Sequence, residues 1–169
     1  MSEFPFIRQL GQMDCGVACL AMIAKHYGKT YTMQKLRDMC SATNAGVRML
    51  GLSDAAEKLG FKTIGVRISF EKLVEDVPLP CIVHWKQVHF VVVYSLPIPF
   101  KRGDIFYPSK RVGGEVRIAD PSQGLITYTV EEFCNNWFST KKEKEEKGIP
   151  LLLEPTSAFY NQEDEKIEK

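Results

Sequence analysis

Two periods divide the chain. Between residues 15 and 60 apolar side chains recur at helical spacing, and from residue 61 onward they alternate or gather in short β-branched blocks. The run from Cys15 to about Tyr27 is apolar on nearly every face, which predicts a central, buried helix opened by Asp14 as N-cap and closed at Gly28. "TYTMQKLRDMC" sets Met33, Leu36, Met39 and Cys40 on a second helix with Thr32 as cap, and "MLGLSDAAEKLG" (49–60) predicts a third, closed by Gly60. "FKTIGVRI" (61–68) then alternates as a strand, and "SFEKLVED" (69–76) is a short helix. "PCIVHW" and "HFVVVYSL" form a hairpin about Lys86-Gln87-Val88, and "GEVRIADP" and "GLITYTV" form a second pair about "PSQG". "TVEEFCNNWF" is a helix capped by Thr129, and "IPLLLEP" (149–155) is the last strand. Helices first and mainly antiparallel strands after predict an α+β class, with an N-terminal helical part packed on an antiparallel sheet.

Three stretches fall outside this pattern. Residues 97–114 form a long connection with Pro, Gly and basic residues, and "KKEKEEK" (141–147) is a charged run suited to a solvated loop or helix end. Residues 154–169, "EPTSAFYNQEDEKIEK", are polar and read as a tail or linker, which sets the domain at 1–153. A length of 169 residues suits one core. Lys and Arg total 22 against 21 Asp and Glu, so the charge balance gives no reason to expect nucleic acid or an anionic membrane surface as a partner. No apolar run reaches the roughly 18 residues of a spanning helix, the N-terminus lacks the pattern of a secretory signal, and no GxxxxGK(S/T) phosphate loop is present. Five cysteines without paired spacing predict free thiols in a reducing compartment, no metal site and no cofactor.

The candidate chemistry lies at the ends of elements. Cys15 falls in the first turn of its helix, where the positive end of the helix dipole favours a thiolate. Its neighbours Asp14 and Gly16 suit an accessible helix end, and Gly16 would let another chain approach the backbone. A buried core cysteine remains the alternative for Cys15, and is the reading for Cys19, one turn further in. A thiol nucleophile needs a base. Of the three histidines, His26 is about three turns from Cys15 on the same helix, too far for contact. His89, at the mouth of the buried strand "HFVVVY", is favoured over His84 across the hairpin. Asp120, at the end of "VRIAD", is placed to orient the imidazole, although Asp-Pro also starts turns; Asp104 is the alternative. The Cys15 backbone N–H can serve an oxyanion, with a side-chain amide from Gln9 or Gln12 as second donor.

Taken together, "RQLGQMDCGVACLAMIAKHYGK", "HFVVVY" and "IADPSQG" resemble, over most of residues 4–155, the peptidase domain of bacterial peptidase-containing ABC transporters, the double-glycine leader peptidases that process bacteriocins. The resemblance implies a papain-like fold with Cys15 as nucleophile, His89 as general base, Asp120 orienting the histidine, and Gln9 rather than Gln12 at the oxyanion. It implies cleavage of a precursor peptide after a Gly-Gly leader. The domain would lie on the cytosolic side of an inner-membrane transporter, with transmembrane and ATPase domains as partners. It also implies an apolar groove for an amphipathic leader helix, for which Met33, Leu36, Met39, Val47, Met49 and Leu50 are candidates, burial in the core being the alternative for each, while Gly16 is a candidate for substrate contact beside Cys15. The rival functions are a silent leader-binding module and another papain-like hydrolase. The connection 97–114 and the 141–147 run look longer than the family pattern.

Overall fold

The computed structural model describes residues 3–40, 48–97, 101–102, 105–106, 114–140 and 146–162. The N-terminal third supplies helices α1 (Cys15–His26), α2 (Met33–Met39) and α3 (Met49–Leu59). Next come β1 (Phe61–Gly65), α4 (Phe70–Asp76), β2 (Cys81–Trp85) and β3 (His89–Ser95). After the two-residue strands β4 (Lys101–Arg102) and β5 (Ile105–Phe106) follow β6 (Glu115–Asp120), β7 (Gly124–Thr129) and α5 (Val130–Trp137). The chain finishes with β8 (Phe138–Thr140), β9 (Lys147–Gly148), β10 (Pro150–Pro155) and α6 (Ser157–Asn161).

Six strands form one sheet in the order β1-β10-β2-β3-β6-β7, antiparallel throughout. The two-residue alternation of strand side chains divides the core in two. Ile82, Phe90, Val92, Ala119, Leu151 and Leu153 face α1, α2 and α3, while Cys81, Val83, Trp85, Val91, Val93, Val116 and Ile118 face α4 and α5. The α+β class and the helix-on-sheet packing read from the sequence are therefore present. So is a second helical layer on the opposite face, which makes the sheet a central one. In α1 every residue from Val17 to Ala24 is buried, as a helix without a polar stripe requires.

Local chemistry sets the element ends. Thr32 and Thr129 accept from the backbone N–H groups of Lys35 and Glu132, and Glu132 returns a bond to complete a capping box. Gly60 ends α3 in the left-handed region at φ 104°, and a Cβ there would lie 2.2 Å from the backbone of Phe159, so only glycine fits. The strand read over 61–68 stops at Gly65, leaving Ile68 in a lone bridge to Gly148.

The reading of residue 154 onward as a tail needs correction. Glu154 and Pro155 complete β10 against β1, and α6 carries Phe159, fully buried, into the core beside Phe61 and Tyr27. Thr156, Tyr160 and Gln162 bond back to Gly60, Lys29 and Lys58. One buried aromatic outweighs the polar composition around it, and the folded unit runs at least to Gln162.

Candidate active site

The sulfur and the imidazole meet because α1 begins where β3 begins. Cys15 is the first residue of α1, whose inner face packs on Phe90 and Val92 of β3, and His89 opens that strand. The hairpin ahead of His89 turns through two left-handed residues, Lys86 (φ 51°) and Gln87 (φ 63°), and closes with the Val88 N–H on the Trp85 carbonyl. His89 pairs with Trp85 across it. Asp120 ends β6. The pairing of Val92 with Ala119 brings the end of β6 beside the start of β3, where His89 lies.

His89 Nε2 lies 2.8 Å from Asp120 Oδ1, and the same imidazole feels the Cys15 sulfur at the start of α1. The His89 side chain is 19% exposed and that of Asp120 only 3%. Burial alone would pull the His89 pKa down. The bonds to Asp120 and Cys15 and the charges of those groups outweigh it and raise the pKa to about 9. Burial alone would push the Asp120 carboxyl up. The bond from His89, together with two bonds from Ser122, holds it below its ordinary value. Ser122 donates from its backbone N–H (2.9 Å) and its hydroxyl (2.7 Å), both to Asp120 Oδ1. A thiol, an imidazole and a buried carboxylate in series can move a proton from sulfur to nitrogen and keep the imidazolium oriented.

Gln9 reaches this corner through its backbone. Its N–H donates to the Pro121 carbonyl at 3.0 Å, and Arg8 NH1 donates to the Ser122 carbonyl at 3.0 Å. The Gln9 amide Nε2 is held by the Gly11 carbonyl at 2.9 Å, while its Oε1 is buried with no hydrogen-bond partner among the described residues. Gln12 is exposed. His84 stands apart: its ring lies 5.2 Å from that of Phe90, and burial lowers its pKa. His26 stacks with Phe4 at the far end of α1. Cys19 is fully buried, its thiol pushed well above the ordinary pKa by burial and then by the charges of Cys15 and Asp120. Asp104 and Val47 lie outside the described residues.

Three expectations from the sequence change here. Asp14 occupies the N-cap position, but its φ and ψ of −98° and 10° are not those of a capping residue and its side chain makes no cap bond. The carboxylate turns back to the Gly11 N–H (3.0 Å) and to Arg37 Nε (3.1 Å) and NH2 (2.7 Å). Gly16 faces α3, and a Cβ on it would meet both δ carbons of Leu52 at 3.1 Å, so its missing side chain serves helix packing. Leu36 is fully buried in the core, whereas Met33, Met39 and Met49 are half-buried against it and Leu50 is 70% exposed. Ser122 and Arg37 were missed. Ser122 had a signal in the Asp-Pro-Ser turn. Arg37 had none, lying 23 residues from its partner.

Solved structures share this frame. A double glycine motif protease from an AMS/PCAT transporter, crystallised in complex with its leader peptide, matches at 30% identity and TM-score 0.72, covering 91% of this chain and 93% of that one. The peptidase domain of Streptococcus ComA, a bi-functional ABC transporter involved in a quorum-sensing pathway, matches at 27% identity and TM-score 0.70, covering 91% and 100%. The fold is that of a papain-like cysteine peptidase domain. Its sequence sharpens the assignment: residues 3–142 match the model of the peptidase C39 family, and the chain belongs to that family. Among curated relatives, the lactococcin-G-processing and transport ATP-binding protein LagD of Lactococcus lactis subsp. lactis is 38% identical over 158 residues, 90% of this chain. The colicin V secretion/processing ATP-binding protein CvaB of Escherichia coli is 37% identical over 158 residues, 94% of this chain. The chain spans 19% of the length of each. Among the described residues no helix is long and apolar enough to cross a membrane.

Proposed function

We propose that this domain is a cysteine endopeptidase that removes the leader of a precursor peptide by cutting after a Gly-Gly pair. The observation that carries it is the series Cys15–His89–Asp120, with its 2.8 Å imidazole–carboxylate bond, at the meeting of α1 and β3. His89 holds the proton of Cys15 as imidazolium, and the thiolate attacks the carbonyl carbon of the second glycine. The Cys15 N–H and the Gln9 amide then bind the oxyanion. For this the Gln9 amide leaves the Gly11 carbonyl, to which it donates at 2.9 Å in the free domain. His89 protonates the departing amine, and water releases the leader as a carboxylic acid and restores the thiol. Asp120 keeps the ring aligned throughout.

The leader specificity and the link to export rest on the relatives, which process and transport bacteriocins, and on the neighbour that holds a leader peptide. In that setting the domain acts on the cytosolic side of a membrane, joined to transmembrane and ATPase domains. Met33, Met39, Met49 and Leu50 remain available to line a leader groove; Leu36 is inside. The test is a precursor carrying Gly-Gly at the junction against one carrying Gly-Ala. The Gly-Gly form is cut and the Gly-Ala form is not, and Cys15→Ala and His89→Ala abolish cutting while His84→Ala retains it. Cleavage persisting in Cys15→Ala would sink the mechanism, and equal cutting of both precursors the specificity.

A further inference from the structure

An aspartate just ahead of a helix ordinarily bonds the first free N–H groups of that helix. Asp14 does not, and the reason is Arg37. The guanidinium of Arg37 on α2 takes both carboxylate oxygens, Oδ1 at 3.1 Å and Oδ2 at 2.7 Å, while its NH1 donates to Gln34 at 3.2 Å on its own helix. A two-pronged grip of this kind fixes direction as well as distance. The Gly11 N–H takes the remaining reach of Oδ2 at 3.0 Å. The Asp14 side chain is 11% exposed, so it has little water to turn to. The Asp14 side chain therefore makes no cap bond to the first turn of α1, where the Cys15 amide lies.

This matters for charge as well as for hydrogen bonds. Cys15 already faces Asp120 across His89, and Cys19 behind it on α1 is a buried thiol. A carboxylate folded onto the start of α1 would put a second negative charge beside the sulfur and occupy donors that an oxyanion needs. Paired with Arg37 and turned toward Gly11, Asp14 does neither.

We propose that Arg37 is a positioning residue for the peptidase reaction: it holds the Asp14 carboxylate off the N-terminus of α1 and so keeps that helix end free for the thiolate and the oxyanion. The inference rests on the function proposed above. It also links α2 to the reacting centre through one ion pair.

The experiment measures cleavage of the Gly-Gly precursor by this chain and its variants, alongside the rate of Cys15 alkylation by iodoacetamide, read by mass. In Arg37→Gln the freed Asp14 turns onto α1. Its kcat falls by roughly tenfold, less than the loss of an oxyanion donor outright, while KM stays within about twofold. Alkylation of Cys15 slows in parallel. Adding Asp14→Ala to Arg37→Gln removes the intruding carboxylate and restores most of kcat, which an ion pair serving only stability would not do. Asp14→Ala alone leaves no unpaired carboxylate and keeps the test readable if Arg37→Gln folds poorly; its kcat stays within about threefold of the parent. The proposal is overturned by a parental kcat in Arg37→Gln, by a double variant as slow as the single one, or by Asp14→Ala as slow as Arg37→Gln. Cysteine chemistry is checked in the same assay, since persistent cleavage by Cys15→Ala overturns the proposed function itself, whereas an unchanged Arg37→Gln beside an inactive Cys15→Ala overturns only the role of Arg37.

Discussion

Asp120 Oδ1 accepts His89 Nε2 at 2.8 Å while also accepting both the N–H and the hydroxyl of Ser122. One carboxylate oxygen is thus fixed by three donors, and the imidazole it holds has its pKa raised to about 9 in spite of burial. With that value the ring carries its proton at neutral pH, so the resting site is an imidazolium beside sulfur. Loss of that proton gives kcat/KM an alkaline limb near 9. Asp120→Asn removes the charge that raises the pKa, so the limb moves down toward the ordinary histidine range and kcat drops. A pH–rate profile of both proteins checks this, and a limb that does not move in Asp120→Asn contradicts it.

The same shift has a consequence for stability. His89 in the unfolded chain titrates near 6.5, below its folded value of about 9. A raised folded pKa means that the His89 contribution is fully present below pH 6.5 and is lost as pH rises through 9. Urea unfolding of the parent therefore shows stability declining across that window relative to His89→Gln, where this slope is missing. Parallel pH curves for the two proteins are the contrary result.

Leu36 and Leu50 separate core from surface on neighbouring helices. Leu36→Ala leaves a hole under α2 and costs about 2–5 kcal/mol by denaturant unfolding. Leu50, 70% exposed, changes stability by less than about 0.5 kcal/mol when cut to alanine. If Leu50 meets the leader, Leu50→Ala raises KM for the precursor and leaves cutting of a short Gly-Gly peptide unchanged.

Gly16→Ala tests the contact between α1 and α3. Its Cβ would press at 3.1 Å on both δ carbons of the fully buried Leu52. Overpacking exceeds the gain in helix propensity, for a net loss of about 1 kcal/mol. Leu52→Val makes room, and combining the two gives a smaller loss than the sum of the singles. Additive losses would show that the contact is not shared.

A chain ending at residue 153 lacks two of the five β1–β10 pairs and all of α6. It unfolds at lower denaturant than a chain ending at 162, and Phe159→Ala alone costs about 3–5 kcal/mol. Equal midpoints for the two lengths would contradict the packing described.

Much of this was legible along the chain. Cys15, His89 and Asp120 stand at the ends of a helix and two strands, and local period marked all three ends before any long-range contact was known. What escaped was decided by partners far away in sequence. Asp14 has the local chemistry of a cap, and a guanidinium on another helix overrides it. Gln9 differs from Gln12 because its backbone pairs with Pro121, across more than a hundred residues. The methionine–leucine stripe of α2 carries one fully buried member among half-buried ones, a difference periodicity does not grade. In "SAFYN" a single phenylalanine decides the fate of a polar segment, and averaging over the window hides it.

Phe159 also sets how this domain passes on mechanical load. A pull on the chain beyond residue 162 meets the Gln162 and Tyr160 bonds to Lys58 and Lys29, then the ring wedged beside Phe61 and Tyr27. Only after those give way does tension reach β10. Tyr27 caps the C-terminal end of α1, the helix whose opposite end carries Cys15, so α6 works as a clamp seated one helix length from the sulfur.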